Sequence, residues 1–213
     1  MHFLIELGYP MNRIAFFIDG FNLYPSLDSN PLYNKYKWLN LNKLAHCFVT
    51  SHDKVEKVLY FTTYVTWDQV KLVKHQTYVK ALQSVGVEVV FGAFRYVDKF
   101  CRICHKQYKI FEEKQTDVNI AIKLLQTAVQ DLWDTAIIVS GDSDLIPAIQ
   151  AVKTTFPEKR IGLVIPIGRR AEELKQVVDF HMKLKEKHLA TSQFEDVVTI
   201  DGGVKLARPN TWK

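Results

Sequence analysis

Arg13-Ile14-Ala15-Phe16-Phe17-Ile18-Asp19-Gly20-Phe21-Asn22 is an apolar run that ends in an acid, and its reading decides the fold. Asp134-Thr135-Ala136-Ile137-Ile138-Val139-Ser140-Gly141-Asp142-Ser143-Asp144 repeats the plan with two acids. Between them Thr116-Asp117-Val118-Asn119 opens a helical pattern, in which Val118, Ala121, Ile122, Leu125, Ala128, Val129 and Leu132 recur at helical spacing. In an open parallel sheet, ligands bind beyond the carboxyl ends of the strands. Two strand ends and one helix start are therefore expected to bring Asp19, Asp117, Asp142 and Asp144 to one edge. Clustered carboxylates repel one another unless a cation sits among them, and hard oxygen ligands suit Mg²⁺ or Mn²⁺. That is the profile of a metal-dependent phosphoryl-transfer site. Crowding of this kind also predicts that Asp19→Asn stabilises or barely affects the metal-free fold.

Around these motifs, buried runs alternate with helical patterns, the signature of βαβ units and a parallel sheet. Strands are predicted at about 14–18, 55–65, 87–94, 136–140 and 162–165, and helices at about 40–49, 67–85, 117–132, 144–156 and 170–178. Two stretches break the alternation. Residues 26–37, beside Pro25 and with Pro31, Tyr33 and Tyr36, read as a loop leading from the first acid. Residues 97–111 carry Cys101-Arg102-Ile103-Cys104-His105 and read as a hairpin inserted before Asp117. From Lys183 onward, Val197-Val198-Thr199-Ile200 suggests a final short strand or a packed extension.

The 213 residues suffice for one good core, and 47% hydrophobic with 24% charged residues is globular composition. The longest apolar runs are strand-sized, which excludes a membrane-spanning helix. Residues 1–10 lack a basic start and a small-residue cleavage site, so they do not read as a secretion signal. Three cysteines, an odd number, argue against a disulfide framework and fit a reducing cytoplasm. The net charge of +5 permits a basic rim around an acidic centre, as a polyanionic substrate needs, or simply solvated surface lysines.

Each motif has a plainer alternative. Asp19-Gly20 is a common turn pair, and Asp142 and Asp144 could be a turn acid and a helix cap. Cys101 and Cys104 are half a zinc ribbon with the other half missing; the alternatives are a bare dithiol hairpin, or Zn²⁺ shared through histidines or between two subunits of a homodimer. No Walker loop, dinucleotide glycine fingerprint or Gly-x-Ser-x-Gly elbow occurs. A dehalogenase-type phosphatase needs a second acid two residues after Asp19, where Phe21 stands.

Phe17-Ile18-Asp19-Gly20-Phe21-Asn22-Leu23-Tyr24, with Glu113-Lys114-Gln115-Thr116-Asp117-Val118-Asn119-Ile120-Ala121 and Ile138-Val139-Ser140-Gly141-Asp142-Ser143-Asp144-Leu145, resembles the NYN domain of the LabA/DUF88 type, in the PIN-like nuclease superfamily. The resemblance implies an α/β fold, a three-layer α/β/α sandwich around a mainly parallel sheet, with the domain at 11–182 and an extension at 183–213. It further implies a divalent-metal ribonuclease. Asp19, Asp117, Asp142 and Asp144 match the family's acids, and Asn22 and Ser140 its polar neighbours. Many members carry a further acid about one helical turn beyond Asp117, where this chain has Lys123.

The reading that follows is a cytoplasmic nuclease for single-stranded RNA. The four acids hold Mg²⁺ or Mn²⁺, Asn22 and Ser140 orient them, Lys114 and Arg95 neutralise phosphate, and Tyr24 stacks a base. Basic residues at the hairpin, Arg102, His105, Lys106 and Lys109, leave two readings open: a clamp on the strand's backbone, or a hairpin that merely packs or dimerises with these residues in solvent. Two alternatives stay open: an RNA- or protein-binding module with weak or no turnover, which Lys123 favours, and a phosphatase using the same acids.

Overall fold

The computed structural model describes residues 11–213, so the reading of the first ten lies outside the described residues. In chain order the elements are β1 (Asn12–Asp19), α1 (Gly20–Asp28), a 3₁₀ turn at Pro31–Tyr36, α2 (Leu41–His46), β2 (Asp53–Thr62), α3 (Gln69–Ser84) and β3 (Val87–Phe91). A hairpin of β4 (Ala93–Phe100) and β5 (Gln107–Lys114) leads to α4 (Thr116–Val129) and β6 (Thr135–Val139). After a 3₁₀ turn at Ser143–Leu145 come α5 (Ile146–Thr155), β7 (Arg160–Ile165), α6 (Glu172–Val177), β8 (Phe180–Lys183), α7 (Glu186–Thr191), β9 (Val197–Thr199) and β10 (Lys205–Ala207).

Six strands form one parallel sheet in the order β3-β2-β1-β6-β7-β8. The chain works outward from β1 through β2 to β3, then returns to lay β6 on the other side of β1. The order reverses between β1 and β6, where open α/β sheets leave a crevice at their carboxyl edge.

Both faces of the sheet are covered, which is why β1 reads as an unbroken apolar run. Ile14, Phe16 and Ile18 enter one core with Val58, Tyr60, Ile137 and Val164 beneath α1, α2 and α3. Ala15 and Phe17 enter the other with Leu59, Phe61, Ile138 and Leu163 beneath α4, α5 and α6. The result is the expected three-layer sandwich.

The structure departs from the sequence-based elements in three places. The strand predicted at 87–94 breaks at Gly92 into β3 and β4. A Cβ there would lie 2.8 Å from Thr63 Oγ1 and 2.9 Å from the Lys114 carbonyl oxygen, so only glycine lets the two arms of the hairpin meet the sheet so closely. The hairpin consequently runs from Ala93, paired with Lys114, to Phe100, paired with Gln107, and is longer than the predicted 97–111. Next, Ser26–Asp28 are helical rather than loop. Asp19 caps α1, Leu23 and Leu27 bury its inner face, and Pro25 is accommodated inside it. Finally, Phe180–Lys183 add β8 at the sheet edge, beyond the last predicted helix.

The segment after Lys183 packs onto the α1–α3 core. Leu189, Phe194, Leu206 and Trp212 are buried there, and Trp38 Nε1 donates to the Glu195 carbonyl at 2.8 Å. Val197–Thr199 is a short strand, paired antiparallel with β10.

Candidate functional site

Asp19 ends β1 at the switch point and is buried. Its Oδ1 accepts the backbone N–H groups of Phe21 at 2.9 Å and Asn22 at 3.1 Å, which caps α1. Its Oδ2 accepts Asn22 Nδ2 at 2.6 Å and Ser140 Oγ at 2.8 Å. Burial pushes this carboxyl above its usual range, and the four donors oppose that shift. Gly20 follows because a Cβ there would meet the Phe61 carbonyl oxygen at 2.5 Å.

Ser140 and Asn22 extend the web to the loop after β6. Ser140 Oγ accepts the Asp142 N–H at 3.1 Å, and Asn22 Oδ1 accepts the Gly141 N–H at 3.2 Å. Both side chains thus sew the end of β1 to the loop carrying Asp142. Asp142 Oδ1 in turn caps the following 3₁₀ turn through the Asp144 N–H at 3.0 Å, while Asp144 itself is exposed.

Asp117 occupies the first turn of α4, held after a left-handed Gln115 at φ 79°. Glu113 Oε1 accepts the Thr116 N–H at 2.9 Å and also the Thr116 hydroxyl, so it caps this helix. The Asp117 carboxyl is pushed up to about 6, first by burial, then by the charges of Asp142, Asp19, Glu113 and Asp144. All four acids singled out in the sequence therefore share one electrostatic neighbourhood. Glu113 belongs to it as well, and the sequence signalled it only by its place two residues before Gln115.

Among the described residues, no group of three or more His, Cys, Asp or Glu side chains stands ready to hold a metal ion. The donor chemistry nevertheless suits a water-rich cation. Mg²⁺ keeps several waters and takes one or two carboxylates rather than a full protein cage. Asp117 and Asp142 retain free carboxylate oxygens facing like charge, whereas four donors occupy the acceptor sites of Asp19.

The other singled-out residues are dispersed. Arg95 and Glu112 are cross-strand partners on the hairpin, and Lys114 Nζ pairs with Glu112 at 2.9 Å. Tyr24 lies on α1 against Trp212, with ring centroids 6.3 Å apart, and Lys37 Nζ sits 5.1 Å over its ring. Lys123 pairs with Glu88 of β3 at 3.2 Å. Lys109 pairs with Asp98 at 3.8 Å and lies over Tyr96.

Cys101 and Cys104 occupy the hairpin tip. The backbone N–H groups of Cys104 and Ile103 point at the Cys101 sulfur and hold this thiol below its usual range. The pair has no third His, Cys, Asp or Glu ligand among the described residues.

Two features escaped the sequence reading because they join distant residues. Phe21, beside Asp19, contacts Phe94, which contacts Trp67, and Trp67 stacks on Phe111 at 3.5 Å; the aromatic series runs from the acidic edge onto the hairpin. Beside α1 lies a cleft of about 530 Å³, lined by Phe21 and Tyr24 among others.

Comparison with known proteins fits this geometry. The chain is 27% identical over 242 residues to 6-hydroxy-3-succinoylpyridine 3-monooxygenase HspA of Pseudomonas putida (strain DSM 28022 / S16), an alignment spanning 94% of this chain and 75% of that protein. Its fold is similar to the crystal structure of VPA0982, a protein of unknown function from Vibrio parahaemolyticus RIMD 2210633, at a TM-score of 0.57 and 17% identity over 83% of this chain and 95% of that one. The NYN domain family matches residues 13–185, from the start of the β1 core to just past β8. A match that takes in all six strands of the sheet and every acid at its carboxyl edge places this chain in the NYN domain family.

Proposed function

We propose that this chain is a nuclease that hydrolyses phosphodiester bonds in single-stranded RNA with the help of Mg²⁺ or Mn²⁺. The observation that carries the reading is the gathering of Asp19, Asp117, Asp142 and Asp144 at the switch point, where burial first, and then the charge of the other acids, raises the Asp117 carboxyl. Asp117 and Asp142 would hold the cation directly, with Asp144 reaching it through water. When bound, such a cation lowers the pKa of a coordinated water and offsets the charge growing on the phosphate. Asp19 acts differently: through Asn22 and Ser140 it fixes the loop that presents Asp142. Lys114 and Arg95, exposed at the base of the hairpin, would neutralise phosphate oxygens on the approach. The aromatic series from Phe21 to Phe111 offers ring surface to unpaired bases, which favours a single strand over a duplex. No helix among the described residues is long and apolar enough to cross a membrane.

The test is cleavage of single-stranded RNA and DNA in Mg²⁺, Mn²⁺ or EDTA, with Asp142→Asn as control. Cleavage that needs the metal and is lost in the variant supports the reading. RNA bound but never cut would assign a binding module, and activity confined to small phosphomonoesters a phosphatase.

A second reading is favoured by the Pseudomonas putida relative, whose name describes oxygenation of a pyridine. Oxygen uptake with a hydroxypyridine and a two-electron donor, together with inert RNA, would transfer the assignment to it.

A further inference from the structure

The cleft beside α1 has a chemistry of its own. Its volume of about 530 Å³ falls in the range of small-molecule sites. Phe21 and Tyr24 of α1 form one wall, Tyr60 and Thr62 at the end of β2 the floor, and Trp212 closes it from the C-terminal segment. Tyr24 is 37% exposed while Trp212 beside it is almost covered, so a flat ring entering the cleft would meet aromatic surface.

The charged part of the lining is mainly basic. Lys37, Lys71, Lys74 and His75 face the cleft with a single acid, Asp28. Asp28 is already paired with Lys37, which is buried. His75 Nε2 lies 3.2 Å from Thr62 Oγ1, and burial depresses this imidazole to about 4, so it is neutral. Uncommitted positive charge therefore belongs to α3: Lys74 has no carboxylate partner among the described residues, and Lys71 meets Asp68 only at 3.7 Å.

A third property narrows the ligand. Asn34 lines the same cleft, and its Oδ1 is buried with no donor among the described residues. A buried acceptor without a donor is unfavourable, and a ligand N–H would satisfy it. Flat aromatic surface, a waiting acceptor, the unpaired ammonium of Lys74 and the loosely paired one of Lys71 match a nucleobase joined to a phosphate. We propose that this cleft binds a nucleoside monophosphate, either free or as the terminal nucleotide of a strand, with its base between Tyr24, Trp212 and Asn34 and its phosphate toward Lys71 and Lys74. The assignment goes beyond the nuclease reading and does not depend on it, because none of the four acids lines the cleft.

Titration calorimetry on the full chain in EDTA isolates this site from any metal-dependent one. The probes are the four 5′-nucleoside monophosphates, the matching nucleosides, inorganic phosphate, a pyridine carboxylate, and a short oligonucleotide ending in a phosphate. At least one monophosphate should bind saturably, about tenfold or more tighter than its nucleoside and than inorganic phosphate. Lys71→Ala/Lys74→Ala should weaken it by a similar factor, as should Asn34→Ala. The lysine pair is at the surface, so its variant tests the proposal even if Asn34→Ala fails to fold. Tighter binding of the oligonucleotide identifies the end of a strand as the ligand; equal or weaker binding identifies the free nucleotide. Absence of saturable binding by every monophosphate, equal binding of inorganic phosphate or the pyridine acid, or full affinity in the lysine variant would overturn it.

Discussion

Asp19 turns both carboxylate oxygens inward, onto two backbone N–H groups, one amide and one hydroxyl. An asparagine here would set its own NH₂ against Asn22 Nδ2 or the capped backbone. Asp19→Asn should therefore lower stability in urea by about 1–2 kcal/mol. This reverses the expectation drawn from carboxylate crowding, because the sequence showed an acid at a strand end but not the donors waiting for it. At Asp117 burial comes first and crowding by the neighbouring acids second. Its carboxyl is raised to about 6, above the ordinary value of 3.8. A raised acid favours the folded protein while protonated, so its penalty grows as pH climbs from about 4 to about 6 and persists above. Metal-free Asp117→Asn should thus be more stable than the parent near pH 7, by up to about 1 kcal/mol once solvent screening is allowed for, and equal to it near pH 3. Affinity for Mn²⁺ in the parent should fall as pH drops through about 6, which titration at a series of pH values would show.

Among the elements, those with a single strong signal were legible. β1 and β6 are apolar runs buried on both faces, and α4 keeps its apolar spacing throughout. Elements whose cause lies elsewhere in the chain were not. Pro25 reads as a breaker, yet α1 passes through it because Asp19 starts the helix and the core holds Leu23 and Leu27. β8 is four residues of mixed polarity, and becomes a strand by pairing with β7. Glycine at position 92 looks like mid-strand weakness until Thr63 and Lys114 close around it. The long β4–β5 hairpin carries the testable clamp. Arg102, Lys106 and Lys109 are exposed on it, with Lys109 partly engaged by Asp98. Replacing all three with alanine should weaken RNA binding for every sequence and flatten the plot of log affinity against log salt by about 1–2. An unchanged slope would leave the hairpin without a backbone role.

At the scale of the whole molecule, Trp212 packs on Trp38, Tyr24 and Tyr78 and so ties the C-terminal segment to the first motif. Trp212→Ala should cost about 3 kcal/mol in urea unfolding and open the cleft. A second surface invites association: Val118, Ile122, Leu125 and Val129 stand exposed along α4 at the four-three-four spacing of a helical seam. If two copies meet there, as a homodimer would, Ile122→Lys/Leu125→Lys should sediment as a monomer where the parent does not. The sheet order has a further consequence. Strand β1 lies between β2, from its own half of the chain, and β6, from the other half, and the cores on both faces draw on both halves. The peptide link joining the halves runs through the exposed hairpin tip around Arg102. Trypsin should therefore be able to sever that link and leave the particle intact: two bands on a denaturing gel, a single peak on a sizing column. Asp19 would then reside on one fragment and Asp117, Asp142 and Asp144 on the other, so that the chain is, in effect, a split domain whose two parts happen to be made as one.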